Sequence, residues 1–490
     1  MVSTPSSSPD PQHQDVTEVD LVVVGAGPGG EALASGAAAG GLSVVVVDRH
    51  LVGGECPYYG CIPSKMMVRA ADALAEASRA GTLAGDVAVT PSWTPVATRI
   101  RDEATTDWDD DIAVRRLEDA GATVHHGVGR LTGPRAVEVT LPDGSVMAYA
   151  ARVGVVLNPG TRPAELPVAG LAGTPYWTNR EAVQATGVPA TLVVVGGGPI
   201  GCEMAQVFAR FGARVTILQH GPRLLPGDEP EAGEMLADVL ASEGLRVMTG
   251  ADLREVAHAD GTFTLTVDTG NDTGDDTGEG TETLHADQLL VAAGRTPNLD
   301  DLGLEAVGLD PASRTIEVDE RMRATVDGEP VEGLWVVGDV TGKGAFTHVS
   351  MYQSGVALRD VLGQDGPAAA YHAVPHTTFT DPEVGGVGMT VRQAKDAGLR
   401  VRVGRTATET SSRGFTHGPG ARGLITVVED ADRGVLVGAT AAGPGGGEVL
   451  GLLALAVHAA VPVDTLRTMI YAYPTFHRAI ETALGELAEE

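Results

Sequence analysis

Two stretches of the chain carry the same pattern of apolar and small residues. Leu21 to Val24 is an unbroken apolar run, followed by GAGPGG, an Ala-rich stretch of helical composition and a second apolar run from Val44 to Val47. Apolar runs bounded by glycine, with an Ala-rich stretch between, predict strand, helix, strand. The pattern returns at Thr191 to Leu218 as VVVGGGPIG, a helix through Arg210 and a strand VTIL. Unbroken rather than alternating apolar strands are those of a parallel sheet buried on both faces. Between the two copies, Ala120 to Val155 alternates short apolar runs with Gly and Pro, as a meander of strands does. From Pro375 onward the pattern changes to TTFT, VGGVGM, GLITVVED and GVLVGATAAG and then to helices, with no Gly-rich loop. That predicts a further, different domain.

At 490 residues the chain is too long for one core and divides into about three domains. Aromatics are only 4% of residues, so the core is built from Ala, Val and Leu, as in layered α/β proteins. A formal charge of −31 excludes nucleic acid and anionic membrane as partners, since both need clustered Lys and Arg. The longest apolar run, Val449 to Val463, is short and broken by Gly451 and His458, so no membrane span is expected. Residues 1–18 hold no Lys, Arg or apolar core and read as a disordered tail rather than a secretory leader, which makes the expected location cytoplasmic. Residues 269–283, acidic and rich in Gly and Thr, predict a solvated hairpin loop. Lysine occurs only at positions 65, 343 and 395, and cysteine only at 56, 61 and 202. A close cysteine pair in so long a chain points to catalysis rather than to a structural framework, and no metal site is expected.

Gly25, Gly27 and Gly30 form G-x-G-x-x-G between the first strand and its helix, where glycines let backbone amides approach a pyrophosphate. Asp48 closes the second strand at the spacing of an acid that accepts from a ribose 2′-hydroxyl. Gly196, Gly198 and Gly201 repeat the motif, so two Rossmann-like dinucleotide-binding domains are expected in an α/β fold. Cys202 beside them reads as a small buried hydrophobe.

The segment GGECPYYGCIPSK sets Cys56 and Cys61 five apart at the start of a helix predicted to run through Met66 to Ala80, with Lys65 on the same helix. A helix N-terminus lowers the pKa of a thiol near it. This segment resembles the redox-active disulfide motif of the group I pyridine nucleotide-disulfide oxidoreductases. GAGPGG, GGGPIGCE, VAAGRTPNLDDLGL, LWVVGDVTG and FTDPEVGGVGMT resemble further family blocks in the family's order. The resemblance implies FAD at the first loop and NAD(P)H at the second. It implies that Cys61 makes the charge-transfer contact with the flavin, that Cys56 is the interchange thiol and that Lys65 sits beside flavin N5. Glu203 becomes the ion-pair partner of Lys65; Asp339 holds the ribityl chain and His348 the pyrimidine edge. Gly294 and Gly338, in two of those blocks, join the cofactor-binding residues. The implied relay runs from NAD(P)H through FAD to a Cys56–Cys61 disulfide and then to an acceptor. The implied domains are an FAD-binding domain at 19–165 and 290–368, an NAD(P)-binding domain at 166–289 and a C-terminal α+β dimerisation domain at 369–490, in a homodimer.

Two positions depart from the resemblance. The strand VTIL ends at Gln219, where NAD-selective relatives carry an acid; without it a 2′-phosphate is not repelled, and the coenzyme leans to NADPH. Disulfide-reducing relatives carry His-Pro-Thr near the C-terminus with Glu five positions after the His, whereas Tyr473 and Arg478 stand at these places here. A phenol, with a pKa of ~10, is a poor base at neutral pH. His477 is the alternative proton carrier. The acceptor is therefore a small-molecule or protein disulfide, by the intact cysteine pair, or a quinone, metal ion or oxidised nucleotide, by the missing histidine; dihydrolipoamide dehydrogenase-like activity is a further alternative.

Overall fold

The first apolar run lies in a strand, Val16–Val24, with a parallel neighbour on each side, which is why it carries no polar alternation. A computed structural model of the protein describes residues 16–269 and 280–490. The described chain packs into two units.

The first unit combines the residues up to Cys56 with Trp108–Arg162 and Pro297–Ala369. Its sheet runs in the order Arg323–Val326, Glu329–Val336, Val146–Leu157, Val16–Val24, Val44–Asp48, Ala122–His126. Val22, Val45, Val155 and Val336, all fully or almost fully buried, contribute to one core cluster of this unit. The expected meander is present: Val128–Gly133 and Ala136–Thr140 pair antiparallel with each other and continue onto the first half of Val146–Leu157. Helices Pro28–Ala39 and Thr347–Val361 pack together, closely enough that a Cβ on Gly36 would lie 2.4 Å from Leu358 Cδ2. Val16, Thr17 and Glu18 pair with Ala148, Tyr149 and Ala150, so these three residues are strand and not tail, because edge pairing satisfies their backbone. The rest of the expected tail lies outside the described residues.

The second unit holds Pro57–Asp107, Pro163–Thr296 and Ala370–Glu490. A parallel sheet, in the order Arg246–Thr249, Arg214–Gln219, Thr191–Val195, Gln288–Val291, contains the second glycine-loop strand. Asp252–Ala259, Thr262–Asp268 and Thr281–Ala286 form an antiparallel sheet of their own. Thr281, Glu282 and Thr283, expected in the solvated loop, are strand residues paired to Asp268, Val267 and Thr266; most of that loop lies outside the described residues. The C-terminal region is a six-stranded antiparallel sheet covered by helices Gly446–His458 and Ala479–Gly485 over Ile425, Val427, Leu453 and Ile480. The sequence reading predicts four of these six strands but not the two-residue Ala488–Glu489 or Val401–Ala407, whose apolar alternation is broken by Arg405.

Candidate active site

The helix expected through Met66 to Ala80 spans Cys61–Arg79, so Cys61 is its first residue, while Cys56 lies in a separate single turn, Glu55–Tyr58. Cys61 is exposed, Cys56 is half-buried and Cys202 is buried. Burial pushes the Cys202 thiol far above the ordinary cysteine range, which leaves no thiolate there for exchange. One turn along the helix, Lys65 Nζ donates to Glu203 Oε2 at 2.7 Å. Glu203 comes from helix Pro199–Arg210, and its side chain is only 5% exposed. Its other oxygen accepts from Phe379 N–H at 2.8 Å, and the ammonium stands 4.6 Å from the Phe379 ring centroid. A buried carboxylate needs such partners, since alone it would be driven to neutralise.

The two glycine loops are built alike. A Cβ on Gly25 would lie 2.1 Å from Asn158 O, and one on Gly196 would lie 2.5 Å from Ala292 O. Gly30 and Gly201 pack as closely, against the carbonyls of Gly25 and Gly196. Gly27 and Gly198 start the two helices with no side chain to cap their amides. The first loop borrows a cap from elsewhere: Asn158 Oδ1 accepts from Gly30 N–H at 2.8 Å, while its Nδ2 donates to Val337 O at 3.0 Å. Asp48 accepts from Ala26 N–H at 2.7 Å and His50 N–H at 2.8 Å; burial holds its carboxyl above the usual range against those bonds. A carboxylate has about four acceptor sites, so these two bonds leave lone pairs on it for a further donor. Glycine-walled amides, a carboxylate at the strand end and Asp339, which accepts from Thr161 Oγ1 at 2.6 Å, are the donor and acceptor set a flavin dinucleotide needs. Gly338 N–H is held by the fully buried Gln353 at 2.6 Å, and His348 stacks on Phe346 with centroids 5.2 Å apart.

Around the second loop, Gln219 Oε1 accepts from Gly197 N–H at 2.8 Å, which leaves its NH₂ as the donor end of the side chain. Arg223 spends Nη2 on the carbonyls of Pro226 and Asp228. Gly294, with φ +119°, follows the strand Gln288–Val291. In the C-terminal region Tyr473 is 69% exposed, and the Arg478 guanidinium stands 5.6 Å from its ring centroid. His477 turns instead to Tyr471, with centroids 6.3 Å apart. Sequence reasoning missed Asn158, Gln353, Arg210 and Asp381. Of these only Asp381 stood in a segment with a recognisable signal, FTDP. Among the described residues no helix is long and apolar enough to cross a membrane, and no cluster of three or more His, Cys, Asp or Glu could hold a metal ion.

Comparison with known proteins agrees with this arrangement. Residues 19–374 match the family model described as pyridine nucleotide-disulphide oxidoreductase, and residues 374–484 match the dimerisation domain of that family. A dihydrolipoyl dehydrogenase of Chlorobaculum tepidum is 32% identical over 468 residues, covering 95% of this chain and 96% of that protein. A mercuric reductase of Acidithiobacillus ferrooxidans is 32% identical over 485 residues, covering 98% of this chain and 84% of its own length. In fold the chain is similar to the HOCl-induced flavoprotein disulfide reductase RclA from Escherichia coli, at a TM-score of 0.81 and 23% identity over 96% of this chain and 99% of that one. LpdA from Mycobacterium tuberculosis is similar at a TM-score of 0.81 and 24% identity, with the same coverage. With both family models matched from residue 19 to residue 484 and near full-length relatives at 32% identity, this chain belongs to the pyridine nucleotide-disulphide oxidoreductases and is an FAD-dependent enzyme of that family.

Proposed function

We propose that the enzyme is an NADPH-dependent reductase that carries electrons to a Cys56–Cys61 disulfide and from there to a low-molecular-weight or protein disulfide. FAD, when bound, supplies two-electron chemistry between nicotinamide and disulfide. Gly25, Gly27 and Gly30 would hold its pyrophosphate, Asp48 its ribose, Asp339 its ribityl chain and His348 its pyrimidine edge. Gly294 and Gly338 give the backbone close approach. Gly196, Gly198 and Gly201 take the nicotinamide dinucleotide. Gln219 offers a donor where a carboxylate would repel a 2′-phosphate, which favours NADPH.

The exchange half-reaction falls to the thiols. Cys61, the first residue of its helix, would be the thiol that faces the flavin, as the family resemblance implies. Cys56 thiolate attacks a substrate sulfur, breaking the substrate S–S bond and releasing one thiolate. Cys61 thiolate then attacks Cys56 sulfur, closing the enzyme disulfide and releasing the second, so two electrons pass from the dithiol to the substrate. Lys65, held by Glu203, would keep positive charge beside the flavin. In a homodimer Tyr473 of one subunit serves the thiols of the other by donating a hydrogen bond to the leaving sulfur, with His477 as the alternative proton carrier.

The observation that carries this reading is the buried Glu203 holding Lys65 one turn from Cys61, an expensive arrangement for a helix without redox work. Anaerobic titration of the FAD-loaded protein with NADPH and NADH, followed by turnover with disulfide, quinone and metal-ion acceptors, tests it. The expected result is uptake of four electrons per subunit from NADPH, and two in Cys61→Ser. Two-electron uptake by the unaltered protein, with turnover of quinone alone, would replace it with the electron-transfer reading that Tyr473 favours.

A further inference from the structure

Behind Lys65 the redox helix is tied down by a second, larger set of charges. Lys65, Asp72 and Arg79 stand seven apart on Cys61–Arg79 and so share one face, since two helical turns take ~7.2 residues. On Pro199–Arg210, Glu203, Gln206 and Arg210 form the facing row, at spacings that also share a face. Arg210 is the centre of the set, with its side chain only 7% exposed. It donates to Asp72 at 2.8 Å, to Glu243 through Nε at 3.0 Å and Nη2 at 2.7 Å, and to Asp381 at 2.8 Å. Arg79, at the far end of the redox helix, reaches the same Asp381 oxygen at 2.6 Å.

Asp381 belongs to the strap Phe379–Pro382, and this strap also governs Glu203. Gln206 grips the backbone of Asp381 from both sides, accepting from its N–H and donating to its carbonyl, each at 2.8 Å. Two residues earlier, Phe379 N–H holds Glu203, and the Phe379 ring lies under the Lys65 ammonium. The long, flexible lysine is 35% exposed, so its pairing with Glu203 does not by itself decide where the helix beneath it sits. Arg210 decides that, because it binds the helix at Asp72 and, through Asp381, at Arg79.

We propose that Arg210 is a positioning residue: it fixes which face the redox helix turns to the Phe379–Pro382 strap and thereby where Lys65 holds its charge beside the flavin. This rests on the role given to Lys65 above. The test is the midpoint potential of the flavin in the full-length, FAD-loaded protein, with thermal stability measured alongside. An ammonium beside the isoalloxazine favours the two-electron-reduced form, so Lys65→Met lowers the potential. Arg210→Met is expected to lower it in the same direction, and Lys65→Met with Arg210→Met to lower it no further than Lys65→Met alone. Arg210→Lys restores part of the shift. Arg422→Ala leaves it unchanged, for Arg422 borders the same cavity of about 570 Å³ as Arg79 and Arg210 but pairs with Asp238. Should Arg210→Met fail to fold, Asp72→Asn makes the same comparison while leaving Arg210 its bonds to Glu243 and Asp381. A potential unmoved by Arg210→Met or Asp72→Asn beside a clear Lys65→Met shift, or additive shifts, overturns the inference and leaves the reading of Lys65 standing. A potential that Lys65→Met does not move overturns both.

Discussion

At Tyr473 the enzyme has a phenol where the resemblance to disulfide-reducing members implies an imidazole, and the proton affinities of the two groups decide what that phenol can do. The gap between a phenol and an imidazole is ~3.5 pKa units, or ~5 kcal/mol. Dihydrolipoamide and oxidised glutathione are therefore expected to turn over slowly in steady-state assays, while flavin reduction by NAD(P)H stays fast. Tyr473→His combined with Arg478→Glu should raise disulfide turnover by ~10²-fold or more, the usual size of general-base catalysis. Unaltered protein as fast as that double variant would instead assign the proton to His477 or another group.

Among the helices, the two that matter most are secured by residues distant in sequence. Asn158 caps Pro28–Ala39 at Gly30 across a separation of 128 residues. Asn158→Ala strips the cap and leaves a buried N–H unpaired, a loss of about 1–3 kcal/mol. Fluorescence titration of the apoprotein should show FAD binding weakened by ~10-fold for each 1.4 kcal/mol of that loss; unchanged affinity would remove Asn158 from the cofactor site. On the redox helix, burial outweighs the attraction of Arg210 and pushes the Asp72 carboxyl up from 3.8 to about 6. Since folding favours its protonated form, Asp72 contributes stability at low pH that is lost as pH rises through about 6. Denaturant titrations between about pH 4 and 7 should show that decline, and Asp72→Asn should flatten it without lowering the melting temperature at pH 7. These contacts also mark how far the sequence was legible. Buried parallel strands announce themselves as unbroken apolar runs, and the glycine loops as spacings, because both are local. Val401–Ala407 was hidden by Arg405, which pairs with Glu490, and Arg210 by partners 138 and 171 residues away, since a charge in a sequence does not name its partner.

For the molecule as a whole, a formal charge of −31 means that two copies repel each other unless apolar surface draws them together. Ile470, 96% exposed in the single chain, and Tyr473 lie in the region that matches the family's dimerisation domain. Ile470→Glu is accordingly expected to shift sedimentation from dimer toward monomer, to lose disulfide turnover and to keep NAD(P)H-driven flavin reduction; added salt, which screens the repulsion, should favour the dimer of the unaltered protein. A monomer with full disulfide turnover would refute the shared site. The discontinuous first unit bears on how the chain comes off the ribosome. Its central strand Val16–Val24 emerges early, but Glu329–Val336, which pairs beside Val146–Leu157, is made only after the whole sheet that carries the second glycine loop. Synthesis runs at ~5–20 residues per second, so the early strands wait ~10 seconds or more for their last partner. During that interval the apolar edge of Val146–Leu157 is open to other nascent chains, and the vulnerable period of this enzyme's life is its own translation.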